Sequence, residues 1–412
     1  MRIHNLSIKN IGPFNEGRID FISKEDNIKK PPVTIITGEN GTGKTIILDA
    51  IRGLLLGQFN SIERNIVRNN KKFTLSLKYT LNDQAGLISS NKITSTDHSN
   101  SFMTNNPKFS DIFCGNQKPD LNWNWVIDYW TSILSTDSYE LLQLVAPKND
   151  QIYANSLNGI QPNIEVVQFV CFIDYLKNSD KKKESDLGTR LFEKIKNIFQ
   201  LSLIDGELKY VERTSLKPIV SQAGQEVSIE KLSSGNLYLI QRLISLLVKM
   251  YLLHIINNSY IDNLCKLPGL LLIDEAENHL HPKWQKTFIK SILDIFPNLQ
   301  IIVTTQSPFI VSSVDNVKVF VCNSKKDHVI ISDETDIYSN KPVEEILLSP
   351  LFGTTYQFNQ NISDLLQQRK KAIHQQDNEL KSNIEKQLQE INPQYFNYLD
   401  IDNILSSISQ VK

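Results

Sequence analysis

The chain has 412 residues, with 44 Lys and Arg against 45 Asp and Glu, a formal net charge of −1. That balance excludes a uniformly basic nucleic-acid coat and leaves room only for a local basic groove. A hydrophobic share of 40% and a charged share of 22% are ordinary for a globular protein, with material for one very large domain or two to three ordinary ones.

No apolar run reaches the roughly 18–20 residues that span a bilayer. The longest, Leu237–Ile256, is interrupted by Gln241, Arg242 and Lys249. The start, Met1 to Leu6, lacks the apolar stretch of a signal peptide. Cys114, Cys171, Cys265 and Cys322 lie far apart with no CxxC pair, which argues against zinc or disulfide frameworks. The expectation is a cytoplasmic protein without a membrane partner.

In chain order, Met1–Ile11 and Gly17–Ile22 alternate like paired strands. Val33–Thr37 is a β-branched run suited to a parallel strand buried on both faces. A Gly-rich turn leads into a helix over Thr45–Leu56, stopped near Gly57, and Phe73–Leu81 reads as another strand. From about Ser89 to Asp186 polar residues rise and periodicity weakens. This stretch carries the aromatic run Trp123–Trp130 and ends in a charged segment, Lys177–Asp186, that reads as an exposed loop. Leu187–Phe199 regains helical spacing, and Asn236–Ile256 is a strongly apolar helix. Leu270–Asp274 and Leu299–Thr305 read as buried strands separated by a helix over Pro282–Ile295. Val317–Asn323 and Val329–Ser332 read as further strands. The tail is mostly helical, with Leu366, Ile373, Leu380, Ile384, Leu388 and Ile391 on one stripe and Pro393 as its end.

Gly38-Glu39-Asn40-Gly41-Thr42-Gly43-Lys44-Thr45 fits G-x-x-x-x-G-K-[ST]. Its glycines let successive N–H groups curl around phosphate oxygens, and the following helix adds its positive dipole end. Lys44 is expected on the β- and γ-phosphates, and the Thr45 hydroxyl on Mg²⁺. Leu270–Glu275 is an apolar strand ending in two carboxylates, both within reach of a ligand at the sheet's carboxyl edge. Asp274 is expected to hold Mg²⁺, and Glu275 to orient or deprotonate the attacking water. His279 and His281 stand at i and i+2, off a common helical face, so zinc is disfavoured and a loop at a subunit interface is expected.

Leu232-Ser233-Ser234-Gly235-Asn236 precedes the apolar helix and looks like the signature of ABC-type ATPases. The order phosphate loop, signature, acidic strand and then Thr304-Thr305-Gln306-Ser307-Pro308 strengthens that resemblance. The phrase Ile273–Pro282 and the opening Ile8-Lys9-Asn10-Ile11-Gly12-Pro13-Phe14 resemble the overcoming-lysogenization-defect-like, RecF-like branch. Within it, the chain resembles the ATPases of Septu and retron antiphage systems, well over residues 1–60 and 225–320.

The resemblance implies an α/β fold: a P-loop ABC-type head with a mixed sheet (1–90 and 200–340), an inserted, mostly helical lobe (91–199) and a C-terminal helical segment (341–412). It implies ATP and Mg²⁺ as cofactors. Phosphate contacts would come from Gly38, Asn40, Gly41, Thr42, Gly43, Lys44 and Thr45 of one copy and from Ser233, Ser234 and Gly235 of another. With one loop and one signature per chain, a homodimer or a multiple of dimers is expected. The family's usual His in T-T-H-S-P is here Gln306, which donates a hydrogen bond but carries no titratable proton. Slow turnover, with ATP acting as clamp or signal, is therefore expected. The loop glutamine that senses Mg²⁺ has only Gln161 and Gln168 as candidates.

No long heptad pattern separates Lys44 from Ser233, so chromosome-organising relatives with coiled-coil arms do not fit. No TOPRIM or HNH pattern is recognisable, so any cleavage is expected from a separate effector, a nuclease or toxin. The Trp123–Trp130 cluster lacks interleaved cations and reads as packing or partner contact in preference to a stacking platform for nucleic acid. Lys181–Lys183 reads as a solvated loop, and nucleic acid as a partner reached through the complex. The alternatives are a RecF-like DNA clamp and a transporter ATPase subunit. The first predicts salt-sensitive DNA binding by the chain alone.

Overall fold

The computed structural model describes the chain outside residues 24–25, 28–29, 58–65, 69–71, 97–98, 115–123, 133–142, 148–151, 160–165, 204, 258–260, 353–358 and 400–412. Trp123 and Gln161 lie outside the described residues. The chain divides into two compact units, Met1–Ile346 and Leu347–Lys412.

The first unit opens with β1 (Arg2–Ile11), β2 (Phe14–Asp20), β3 (Val33–Gly38) and α1 (Lys44–Leu56). It continues through β4 (Thr74–Leu81), β5 (Gln84–Thr96), β6 (Ser99–Thr104), α2 (Pro107–Cys114), β7 (Val126–Trp130), α3 (Ile152–Leu157), α4 (Val166–Lys177) and α5 (Lys182–Ser202). A small antiparallel sheet follows, made of β8 (Gly206–Glu212), β9 (Lys217–Gln222) and β10 (Gln225–Ser228). Then come α6 (Ser234–Asn257), β11 (Gly269–Ile273), α7 (Pro282–Gln285), α8 (Phe288–Ile295), β12 (Leu299–Thr304), α9 (Pro308–Val311), β13 (Val317–Ser324), β14 (Val329–Asp333), α10 (Thr335–Tyr338) and α11 (Val343–Leu347).

Among the described residues, eleven strands form one sheet in the order β6-β5-β4-β1-β2-β14-β13-β3-β12-β11-β7. The block β13-β3-β12-β11-β7 is parallel; the β1, β2, β4, β5 and β6 part is antiparallel. β3, β11 and β12 are buried at every position, as strands covered on both faces must be. Their near-continuous Val, Ile and Leu runs leave no polar face to present to water. The sheet's carboxyl edge therefore gathers the turns after β3, β7, β11 and β12.

α6 is long and apolar enough to cross a membrane by composition, with a mean hydropathy of 1.6 over an 18-residue window within Ser234–Ile256. Yet 83% of that window is buried, so it is a core helix of this unit. Its interrupting cations are spent on the sheet. Lys249 pairs with Asp128 of β7, both nearly inaccessible, and Arg242 donates to the Thr131 carbonyl at 2.9 Å.

Several expectations change. The segment 91–199 carries α2, α3, α4 and most of α5, and it also supplies part of β5, then β6 and β7, to the main sheet. β7 was hidden in the weakly periodic stretch because Asp128, buried like its neighbours, interrupts the apolar run. Trp125 stacks on Tyr153 at 4.2 Å, and Trp130 is fully buried, so the part of the aromatic run from Trp125 to Trp130 is core. The loop expected over Lys177–Asp186 shrinks to residues 178–181, because Ser179 bonds Glu184 at 2.7 Å and Ser185 bonds the Lys177 carbonyl at 2.8 Å. These local bonds let a charged, solvated turn begin α5. The helix expected over Pro282–Ile295 breaks between α7 and α8, where Gln285 is drawn onto the Leu280 carbonyl at 2.8 Å.

The second unit holds α12 (Gln360–Gln375), α13 (Asn378–Ile391) and α14 (Pro393–Phe396). The tail stripe is two helices, not one. Gln376 adopts a left-handed φ of 58° and Asp377 caps α13 through Leu380 N at 3.0 Å. The turn splits the stripe. Ile384 and Leu388 join a core with Ile362, Leu365, Phe396 and Leu399, whereas Ile373, Leu380 and Ile391 are exposed. Arg369 of α12 and Glu385 of α13 form an ion pair at 2.7 Å.

Candidate active site

The phosphate loop joins β3 to α1, as its sequence demands. Gly38, Gly41 and Gly43 have φ of 140°, 79° and 89°, values that side chains with a Cβ resist. At Gly43 the demand is also steric, since a Cβ there would lie 2.6 Å from Pro13. The Gly12-Pro13-Phe14 turn of the opening segment thus backs the loop, which gives that stretch a physical role. Lys44 begins α1 and is buried; its ammonium donates to the Gly38 and Glu39 carbonyls at 2.8 and 2.9 Å. Burial pulls its pKa down, opposed by Cys322 and by the carboxylates of Glu277, Glu275 and Asp274.

Asp274 follows β11 and is nearly buried. Its Oδ1 accepts from Thr304 Oγ1 at 2.6 Å and from Thr45 Oγ1 at 3.0 Å. Burial pushes its pKa up, and the two hydroxyls pull against that. A Thr hydroxyl and a carboxylate oxygen are hard donors. Their 3.0 Å separation equals that of two adjacent oxygens on an octahedral ion with bonds of about 2.1 Å, which is the Mg²⁺ geometry. Mg²⁺ usually takes one or two protein ligands beside substrate phosphates, so these donors fit it.

Glu275 takes a left-handed φ of 50°, a strained setting for a side-chain-bearing residue and common at functional positions. Its N–H donates to Thr304 Oγ1 at 2.9 Å, and its Oε2 accepts from Asn278 Nδ2 at 2.7 Å. Thr304 therefore serves both acidic residues at once. Glu277 accepts from Thr305 Oγ1 and from Gln306 N, each at 2.7 Å. Gln306 Nε2 in turn donates to Asn40 Oδ1 of the phosphate loop. Thr305 N bonds the Ile36 carbonyl at 3.1 Å, and Asp274 N the Trp130 carbonyl at 2.9 Å. The four strand ends are thus knitted into one surface.

Lys44, Thr45, Asn40, Asp274, Glu275 and Gln306 are accordingly brought together. Thr304, Glu277 and Asn278 belong with them and were given no role in the sequence reading. Their signal lay in the phrases that carried the resemblance, as Glu277 and Asn278 follow the acidic pair directly. Gln168 is not with them: it lies on α4 and donates to the Val145 carbonyl at 3.0 Å. His281 caps α7 through Lys283 N at 3.3 Å, and among the described residues no His, Cys, Asp and Glu cluster suits a metal.

The signature opens α6. Ser233 and Ser234 are exposed, and Ser233 Oγ accepts from Asn236 N at 3.4 Å. Gly235 lies against the loop after Glu275, where a Cβ would stand 2.7 Å from the His279 carbonyl. His279 also faces the Tyr238 ring at 5.6 Å and reaches the Ser132 carbonyl at 3.3 Å. Signature, acidic turn and the end of β7 form a continuous block.

Two family models match: one described as "AAA domain, putative AbiEii toxin, Type IV TA system" over residues 130–312, and one described as an AAA domain over residues 1–97. A Septu protein PtuA from Bacillus thuringiensis is 28% identical over 330 residues, 76% of this chain and 73% of that protein. A retron Vc95 probable ATPase from Vibrio cholerae is 32% identical over 173 residues, 37% of this chain; the match spans a third of that relative's length (33%). Among solved structures, the SMC head domain from Thermotoga maritima aligns with a TM-score of 0.43 at 17% identity, covering 81% of this chain and 99% of that one. With its phosphate loop, acidic strand and signature assembled on this mixed sheet, and with the AAA domain matches and the Septu and retron relatives, the chain is an ATPase similar to the Septu and retron ATPases, and its motifs fit an ABC-type head.

Proposed function

We propose that this chain is the Mg²⁺-dependent, ATP-hydrolysing subunit of an antiphage defence complex, in which it controls a separate effector protein, a nuclease or toxin. The observation that carries the catalytic part is the convergence of Lys44, Thr45, Asp274, Glu275 and Gln306 at one sheet edge through Thr304, Glu277 and Asn278. The defence role and the effector rest on the resemblance to Septu and retron ATPases.

In this reading Lys44 leaves the Gly38 and Glu39 carbonyls for the substrate's phosphates. Thr45 and Asp274 hold Mg²⁺, which neutralises phosphate charge when bound. Asn278 fixes the Glu275 carboxylate so that it orients and accepts a proton from the attacking water. Gln306, held by Glu277 and Asn40, offers its amide N–H to the terminal phosphate but relays no proton, which sets turnover low. Ser233 and the amino end of α6 face solvent, as required of groups that complete the site of a second copy. The chain therefore acts as a homodimer of heads closed by ATP.

The test is Glu275→Gln in the full chain, measured by native mass spectrometry and phosphate release. The expected result is ATP-bound dimers with hydrolysis down at least about 100-fold, the size of a lost general base. Wild-type turnover in this variant would overturn the catalytic assignment, and monomers at saturating ATP would overturn the closed dimer.

A further inference from the structure

A cavity of about 520 Å³ lies between α5, the 3₁₀ turn Ile261–Lys266 and the end of α8. Its walls run into the starts of β11 and β12, whose far ends carry Asp274 and Thr304. Strands of this length put the two edges roughly 17–20 Å apart, so the cavity is separate from the nucleotide site. Its volume lies within the roughly 300–1,000 Å³ typical of small-molecule sites.

The floor is apolar and buried: Leu191, Leu264, Cys265 and Ile295. Burial pushes the Cys265 thiol up to about 11, with Lys194 pulling it back, so this floor stays uncharged at neutral pH. The rim is charged. Glu193 is turned along α5 to Lys196 at 3.4 Å. Lys194 and Lys266 make no side-chain ion pair among the described residues and stand with Asp294 and with Arg190, which is engaged in an interaction of its own, around the opening. The rim is fixed in place: Asn298 Nδ2 holds the Lys266 carbonyl at 2.6 Å, and Arg2 holds the Asn298 and Gly269 carbonyls at 2.6 and 2.9 Å. An apolar floor beneath two unspent ammonium groups, on a pinned frame, is a preformed receptor.

We propose that this cavity binds a small apolar anion, a hydrocarbon or aromatic body carrying one carboxylate, sulfonate or phosphate. The body covers the floor and the anion meets Lys194 and Lys266, whose attraction is strengthened beside an apolar surface. Asp294 accepts from any donor the ligand carries and disfavours a second negative charge.

The probe is 8-anilinonaphthalene-1-sulfonate, titrated by fluorescence into the full chain at saturating ATP and Mg²⁺, so that the nucleotide site is occupied. N-phenyl-1-naphthylamine, the same body without the sulfonate, is the comparator. One saturable sulfonate site per chain is expected, with the neutral analogue about ten-fold weaker. Lys194→Met with Lys266→Met should weaken the sulfonate about ten-fold and leave the neutral analogue unchanged, whereas the double Lys→Arg variant keeps both. Thr189→Trp, at the exposed rim, should block both probes without lowering the melting temperature. Equal affinity for the two probes, or sulfonate binding indifferent to the Met pair or to Thr189→Trp, would overturn the proposal.

Discussion

Thr304→Val isolates one hydroxyl on which both acidic residues depend. Valine keeps the β-branched shape inside a fully buried strand. It removes a 2.6 Å bond to the Asp274 carboxylate and the acceptor for the Glu275 N–H at 2.9 Å. A hydrogen bond to a charged group contributes about 1.5–3 kcal/mol, and a buried N–H left without a partner costs about 1–3 kcal/mol. The two effects overlap, and a total of about 2–4 kcal/mol is expected. At an unfolding entropy of about 2 cal/mol/K per residue, that lowers the melting temperature of the first unit by roughly 3–6 °C. The same change moves activity with pH. Burial already holds Asp274 above its ordinary value while the Thr304 and Thr45 hydroxyls pull it down. Loss of one hydroxyl raises it further. Asp274 acts as a carboxylate, so activity is lost as pH falls through its pKa. The acidic limb of kcat/KM in the variant must therefore lie at higher pH than in the wild type. Differential scanning fluorimetry and a kcat/KM–pH profile read the two effects. A melting temperature within 1 °C of wild type together with an unmoved acidic limb would refute the role given to Thr304.

Two further outcomes follow from the signature helix. Lys249→Met strands Asp128 beside the Trp130 Nε1 and Tyr129 N donors, at a cost of about 3–5 kcal/mol. Adding Asp128→Asn should restore part of it, because the stranded charge is gone and the single amide oxygen still accepts from one of the two donors; chemical denaturation that ranks the double variant below the single one would contradict this. Gly235→Ala drives a Cβ to 2.7 Å from the His279 carbonyl and displaces the start of α6 at an overpacking cost of about 1–3 kcal/mol. Turnover should fall at least about ten-fold, while ATP binding, measured by calorimetry, stays within about two-fold because the phosphate loop is untouched.

The site was legible where chemistry fixes residue type and spacing together. The phosphate loop needs Gly at three left-handed positions, and Asp274 must end a strand that is apolar throughout, so both stood out. Thr304, Glu277 and Asn278 did not, because a Thr in a strand or an Asn in a turn has many structural uses and only the folded chain shows which partner it meets. The buried parallel strands were readable from β3, β11 and β12. β7 was not, since Asp128 interrupts its apolar run and its neutralising partner, Lys249, lies on α6. The tail shows the limit of periodicity: Leu380 and Ile373 continue the helical stripe across a turn that Gln376 and Asp377 create, and no spacing rule marks a turn that keeps the phase.

The central claim is that each ATP site draws its phosphate loop from one chain and its signature from another. Mixing Lys44→Ala chains with Ser233→Arg chains tests it directly. Each variant alone should be inactive. In the mixed dimer one site joins the intact loop of the Ser233→Arg chain to the intact signature of the Lys44→Ala chain. With random pairing, phosphate release should return to about a quarter of the wild-type rate, half the dimers being mixed and each carrying one intact site. No recovery on mixing, with mixed dimers confirmed by native mass spectrometry, would contradict the shared site.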